Sequence, residues 1–161
     1  MLKPDYYFES VFTVPYEELW QKGIRGLIFD VDNTLTLFDQ KGPPPKTTAL
    51  LKRLQGMGFA ICLVTNNTGK RLGHFNEHLG LPGIANALKP LTRGVRAAME
   101  KMSTKPANTA IIGDQLLSDI WAGKNARITT VLVKPLSTRD FYWVRLKRFI
   151  ERILLRNVKP S

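Results

Sequence analysis

Between Arg25 and Thr34 an apolar run, Leu27-Ile28-Phe29, breaks off into two carboxylates two positions apart, Asp30 and Asp32. Branched and aromatic residues that end in a polar cluster read as a buried strand opening into a site. Residues two apart on an extended strand point to the same side, so Asp30 and Asp32 crowd like charges unless a cation or a bend intervenes. That chemistry asks for a metal. With Mg²⁺ bound, one carboxylate stays ionised and can attack phosphorus, while the offset one holds a proton for the leaving group. Asp30 is then the nucleophile and Asp32 the acid/base. Taken alone, Asp32 and Asn33 serve equally well as a turn and helix cap, so the rest of the chain must decide.

With 161 residues and 43% hydrophobic content, a single domain spanning 1–161 with a real core is expected. Lys and Arg number 24 against 13 acids, a net charge of +11, which favours an anionic partner such as phosphate, nucleic acid or lipid headgroups. From Arg139 to Ser161 seven basic residues face two acids, so the tail holds +5 of that charge. The single cysteine, Cys62, excludes an internal disulfide, and its setting in Phe59-Ala60-Ile61-Cys62-Leu63-Val64 marks it as a small buried hydrophobe. A reducing, cytoplasmic setting fits. No signal-peptide block opens the chain, and no uninterrupted apolar run approaches the roughly 18 residues of a membrane span.

The aromatics of residues 1–24 predict a segment packed on the domain, with a short helix beginning at Val14-Pro15-Tyr16. Lys46 to Gln55 shows helical spacing closed by Gly56 and Gly58, and Phe59 to Val64 is a second buried strand ending in Thr65-Asn66-Asn67. A helix is expected over Thr68–Leu79, a short apolar piece at Ile84–Leu88, a helix over Thr92–Met102 capped by Thr92, and a strand at Thr109–Ile112. Ser118–Asn125 has helical character, Ile128–Val133 is β-branched, and residues 138–157 form a final helix. Strands alternating with helices imply crossovers and a parallel sheet, hence a three-layer α/β domain with its core over about 22–137. Ligands in such sheets bind beyond the strands' C-terminal ends, where Asp30, Thr65 and Asp114 all fall.

Phosphoryl transfer needs a nucleophile, hydrogen-bond donors for the equatorial oxygens, a fixed positive charge and carboxylates for the metal. Thr65 and Asn66 supply donors at the start of a helix, Lys89 the charge, and Asp114 with Asp119 two further carboxylates in a loop entering a helix. Each has an ordinary structural alternative: a cap, a solvated lysine, a charge in a first helical turn. Their order along the chain is the stronger signal. A second phosphate motif fails, because Thr68-Gly69-Lys70-Arg71 has Val64 in place of the first P-loop glycine and Arg71 in place of the metal-binding hydroxyl.

In Asp30-Val31-Asp32-Asn33-Thr34, Thr65-Asn66, Lys89 and Gly113-Asp114 through Asp119, the chain resembles the haloacid dehalogenase superfamily of phosphohydrolases. The resemblance implies a Rossmann-like fold with the Asp30 strand central. It also implies an aspartyl-phosphate on Asp30 and protonation of the leaving group by Asp32. Phosphate would be bound by Thr65, Asn66 and Lys89, and Mg²⁺ by Asp30, the Asp32 carbonyl and Asp114 with support from Asp119. Members often carry a cap domain, yet only 30 residues separate Thr34 from Thr65 and 23 separate Thr65 from Lys89, so none is expected. Without a lid the site stays open to a phosphate displayed on something large, or a partner must close it. The layout is similar to that of the YqeG-type subfamily, which phosphatidylglycerophosphate phosphatase also resembles, and this implies a phospholipid substrate.

The tail adds an independent expectation. Tyr142, Leu146, Phe149, Ile150 and Ile153 recur at helical spacing, with Trp143 beside them and Arg145, Lys147, Arg148, Arg152 and Arg156 flanking or opposing. Such a basic amphipathic helix can lie on an anionic bilayer as a peripheral anchor; it can also bury its stripe on the core or a second subunit. Rival functions are a phosphatase for a soluble or nucleic-acid phosphate, and a nucleic-acid-binding module on an inactive phosphatase fold.

Overall fold

The strand-helix alternation is realised as one parallel sheet. The computed structural model describes residues 2–137, and the helix expected over 138–157 lies outside the described residues. In chain order the elements are β1 (Tyr6–Phe8), α1 (Tyr16–Gln21), β2 (Gly26–Phe29), α2 (Pro45–Met57), β3 (Ala60–Val64) and α3 (Gly69–Asn76). There follow β4 (Gly83–Ile84), α4 (Arg93–Met102), β5 (Thr109–Gly113), α5 (Trp121–Asn125) and β6 (Thr129–Val133). The strand order is β1-β6-β5-β2-β3-β4, and each of the five pairings is parallel. The Asp30 strand is therefore central, between β5 and β3, as expected.

Alternation along the buried strands sends successive side chains to opposite layers. Leu27, Phe29, Ile61, Leu63, Ala110 and Ile112 join one core beneath Tyr16 and Leu19 of α1, Leu50, Leu51 and Leu54 of α2, and Leu72 and Phe75 of α3. Ile28, Cys62, Val64 and Ile111 face the other way onto Val95, Ala98 and Met99 of α4 and Ala122 of α5. Cys62 is buried there, and burial pushes its thiol up to about 11, away from nucleophilic use.

Local details differ from the sequence expectation in instructive ways. Gly56 lies inside α2, and the helix ends at Gly58, whose φ of 105° is left-handed. Thr92 forms no side-chain cap on α4, its backbone being already helical. The stretch expected to be helical from Ser118 begins instead as a π-helical turn, Leu116–Ile120, before α5. The N-terminal segment does more than pack on the core. β1 extends the sheet along β6, and Asp5 anchors it by accepting hydrogen bonds from the Thr130 N–H and hydroxyl, both at 2.9 Å.

Tyr16 ties the same segment inward. Its ring is fully buried, and its hydroxyl donates to the Val11 carbonyl at 2.6 Å. Tyr16→Phe strands that carbonyl without a partner, so a loss of about 1–3 kcal/mol is expected. Thermal unfolding should fall by roughly 2–4 °C per kcal/mol for a chain of this size, as read by circular dichroism. An unchanged melting point would show that the Tyr16 hydroxyl bond contributes nothing to holding this segment.

Candidate active site

β2 stops at Phe29, and its ladder runs one bond further, from the Asp30 N–H to the Ile112 carbonyl at 3.0 Å. The chain then turns sharply. Asn33 adopts φ 63°, and Asp32 forms a single bridge with Thr36. Asp32 therefore leaves the strand direction, and the crowding expected between Asp30 and Asp32 is relieved by this bend.

The carboxylates that do crowd Asp30 come from β5 and the turn beyond it. One oxygen from each of Asp30, Asp114 and Asp119 lies within 4.8 Å of the others. Gly113 permits this, because a side chain there would collide with the Asp119 carboxylate. Thr34, which closes the Asp30 motif but was given no role from sequence, donates its hydroxyl to Asp114 Oδ1 at 2.8 Å.

Into this cluster projects Lys89. Its Nζ donates to Asp30 Oδ1 at 2.9 Å, Asp119 Oδ1 at 2.5 Å and the Val64 carbonyl at 2.8 Å, using all three ammonium protons. Lys89 and Asp119 are each 1% exposed and Asp30 is 6% exposed. Burial opposes the charge on Lys89, yet Asp119 and Asp30 outweigh it and hold its pKa well above the ordinary lysine value. Burial and then Asp119 push Asp30 up to about 6, with Lys89 pulling the other way. Three carboxylates against one ammonium leave two negative charges if all ionise, and the donors are hard oxygens. A hard divalent cation fits this set in both charge and ligand type.

The turn after β3 completes the arrangement. Thr65 is 2% exposed, and its hydroxyl accepts from the Asn67 N–H at 3.0 Å. The cap of α3 is Thr68, which accepts from the Arg71 N–H at 3.2 Å. Asn66 is brought to the site, but its amide works within the protein. Nδ2 donates to the Lys89 carbonyl and the Ser118 hydroxyl, each at 3.2 Å, while Oδ1 accepts from the Lys89 N–H at 2.7 Å. It thereby joins three loops.

Asp32 is held by two residues that sequence reasoning missed. Arg71 donates from Nε at 3.1 Å and Nη2 at 2.9 Å to Asp32 Oδ1, and Asn67 Nδ2 donates to Oδ2 at 3.1 Å. Arg71 also donates to the Lys41 carbonyl at 2.8 Å, pinning the loop after β2. In the sequence Arg71 counted only against a P-loop; its place one turn into the helix after Thr65 was the available signal. The expected membrane residues Trp143, Arg145, Lys147, Arg148, Arg152 and Arg156 lie outside the described residues.

A sequence profile of haloacid dehalogenase-like hydrolases matches residues 36–127. The chain belongs to this family. The hydrolase is 32% identical over 156 residues to the "Probable phosphatase YqeG" of Bacillus subtilis, a match covering 97% of this chain and 91% of that one. It is 30% identical over 134 residues to the chloroplastic phosphatidylglycerophosphate phosphatase 1 of Chlamydomonas reinhardtii, across 78% of this chain and half of that protein's length. Among solved structures, NagD of E. coli superposes with a TM-score of 0.58 at 16% identity, over 75% of this chain and 91% of that one, a likeness of fold.

Two measurements test the cation site. At a hundred times its dissociation constant a bound cation contributes about 2.7 kcal/mol, so Mg²⁺ should raise the melting temperature by roughly 5–10 °C. Asp114→Asn should lose most of that rise, and equal rises in both proteins would exclude Asp114 as a ligand. In chelator, the folded hydrolase keeps the Asp30 proton up to about pH 6, whereas an unfolded chain releases it near the ordinary carboxyl value of 3.8. The Asp30 contribution to stability is therefore present below that lower value and lost as pH rises toward 6. Wild type minus Asp30→Asn, followed by urea unfolding from pH 4 to 6.5, should slope downward.

Proposed function

We propose that this phosphatase hydrolyses a phosphomonoester through a phosphorylated Asp30, with Mg²⁺ as its cation and an anionic phospholipid such as phosphatidylglycerophosphate as its substrate. One observation carries the mechanism: Asp30 Oδ1 is taken by Lys89 at 2.9 Å at the end of the central strand, beside Asp114 and Asp119. That contact occupies Oδ1 and leaves Oδ2, 3.5 Å from the Thr34 hydroxyl, as the attacking oxygen. The names of the two matched relatives support phosphatase chemistry and, for the Chlamydomonas protein, a phosphatidylglycerophosphate substrate. Only half of that protein is matched, so its substrate enters here as proposal.

In the first step Asp30 Oδ2 bonds to phosphorus as the ester oxygen leaves, and Asp32 gives that oxygen its proton. The Thr65 hydroxyl and the Asn66 backbone N–H receive the phosphoryl oxygens, and Lys89, its three protons engaged by Asp30, Asp119 and Val64, contributes its positive charge beside them. A cation held by Asp30, Asp114, Asp119 and the Asp32 carbonyl would offset the phosphoryl charge. In the second step water attacks the phosphorus, Asp32 takes its proton, and the Asp30 carboxylate and inorganic phosphate are regenerated. Arg71 and Asn67 keep Asp32 at the mouth throughout; they position it and touch no reacting atom.

No segment between Thr34 and Thr65 or between Thr65 and Lys89 forms a cap: the first interval holds α2 and β3 and the second α3 and β4. A phosphate at the surface of a bilayer can thus approach without a lid having to open. No helix among the described residues is long and apolar enough to cross a membrane, so access would be peripheral.

Asp30→Asn retains the shape of the side chain and removes the nucleophile, so phosphate release should vanish while circular dichroism is unchanged. Wild-type turnover by that variant would refute the covalent mechanism. In single-turnover formation of the phosphorylated enzyme, which isolates the first step, Asp32→Asn should cost roughly 10²- to 10⁴-fold on an alkyl phosphate, but far less on p-nitrophenyl phosphate, whose leaving group needs no proton. Arg71→Gln should show the same pattern with a loss of roughly 10- to 100-fold, because it acts through the placement of Asp32. Equal losses on alkyl and aryl esters would remove both residues from leaving-group chemistry.

A further inference from the structure

We propose that the mouth of the active site is itself a membrane-docking surface, in which the turns Leu88–Leu91 and Leu116–Trp121, with Leu136, seat on an anionic lipid bilayer. This rests on the reading of a phospholipid substrate. Seven large apolar side chains among the described residues are substantially exposed, and six of them occupy one edge of the sheet: Leu88, Leu91, Leu116, Leu117, Trp121 and Leu136, each 36–42% exposed. Random scatter of apolar residues on a surface needs no account; collection round one site does.

The two leading turns are neighbours. Leu88 and Leu91 bracket Lys89, and Leu116, Leu117 and Trp121 bracket Ser118 and Asp119. Asn66 joins the turns by donating to both the Lys89 carbonyl and the Ser118 hydroxyl, and Lys89 pairs with Asp119 between them. Leu136 flanks the site after β6, its N–H donating to the Asn33 carbonyl at 2.9 Å in the turn that follows Asp30. The exposed apolar residues are thus carried by the turns that hold Lys89 and Asp119 and by the segment bonded to the turn after Asp30.

Charge selects the partner. Exposed Lys41, Lys70 and Arg93 lie on the same edge, in the loop after β2 and the first turns of α3 and α4. Outside the site cluster and Asp32, the acid found in those segments is Asp39. A rim of leucines and tryptophan interspersed with basic side chains complements a surface of anionic headgroups over acyl chains. A folded protein or a second copy of this chain seated on the rim would stop the cleft that it surrounds. A bilayer instead presents a lipid phosphate to it.

The test uses the full chain carrying Leu91→Ser and Leu117→Ser, residues outside the catalytic machinery. Sedimentation is measured with phosphatidylcholine vesicles containing phosphatidylglycerol. Each lost side chain should weaken binding by roughly threefold to tenfold, so the double variant should bind at least tenfold more weakly. Its turnover of phosphatidylglycerophosphate in those vesicles should fall in parallel, while p-nitrophenyl phosphate and monomeric short-chain phosphatidylglycerophosphate are hydrolysed within twofold of wild type. Unchanged vesicle binding overturns the docking surface and places any membrane contact elsewhere. Increased turnover of the two soluble substrates, or dissociation of a wild-type dimer, overturns it in favour of a covering tail or a second copy. Failure of wild type to hydrolyse the short-chain lipid while cleaving p-nitrophenyl phosphate refutes the substrate reading instead. Leu91→Ser alone, tested in the same way, keeps the outcome decisive if the double variant misfolds.

Discussion

A buried ammonium between two buried carboxylates is the interaction on which this site depends. Lys89 meets Asp30 and Asp119 where all three are almost entirely shielded from water. Taking such charges out of water is costly, and their attraction offsets that cost only with close geometry and full hydrogen bonding. The Val64 carbonyl completes the lysine's three bonds at the end of β3. Removing Lys89 would leave two buried carboxylates uncompensated, whereas neutralising Asp30 still leaves Lys89 paired with Asp119.

The same triad explains how four loops from separate strands keep register. Lys89 reaches Asp30 after β2 and Asp119 after β5, while Asn66 holds the backbone of Lys89 from the end of β3. Leu88, immediately before the lysine, adopts φ 56°, a left-handed conformation costing about 1–2 kcal/mol for a branched residue. Strain of that size persists only where the surroundings over-determine it, and the Asn66 and Lys89 bonds do so.

Asp30 and Asp32 illustrate how two identical residues two positions apart receive different environments. Asp30 is drawn into the triad, where burial and Asp119 raise its pKa. Asp32 is turned toward α3, its side chain 13% exposed, with both oxygens engaged by Arg71 and Asn67. Division of labour between paired carboxylates rests on such a difference of surroundings. The bend at Asn33 creates it, and Arg71 secures it while also holding the loop through Lys41.

The central position of the Asp30 strand was implied by the family resemblance, whereas the parallel sheet and the gathering of Asp30, Thr65 and Asp114 at one edge were legible in the sequence itself. Apolar runs of strand length followed by polar residues carry that information locally. The same holds for the absence of a cap, which is a matter of interval length. The strand at Tyr6–Phe8 was not legible, because a run of three aromatic residues is too short to show a period and gains a ladder only when β6 lies beside it. Nor could sequence show that the crowding carboxylate is Asp119 rather than Asp32, that Asn66 spends its amide on Lys89 and Ser118, or that Arg71 holds Asp32. Those contacts span from 23 to 89 residues of chain. Residue type and spacing determined which chemistry this protein carries; only the tertiary fold decided which charges face one another, because distance through space between separate loops has no signature along the chain.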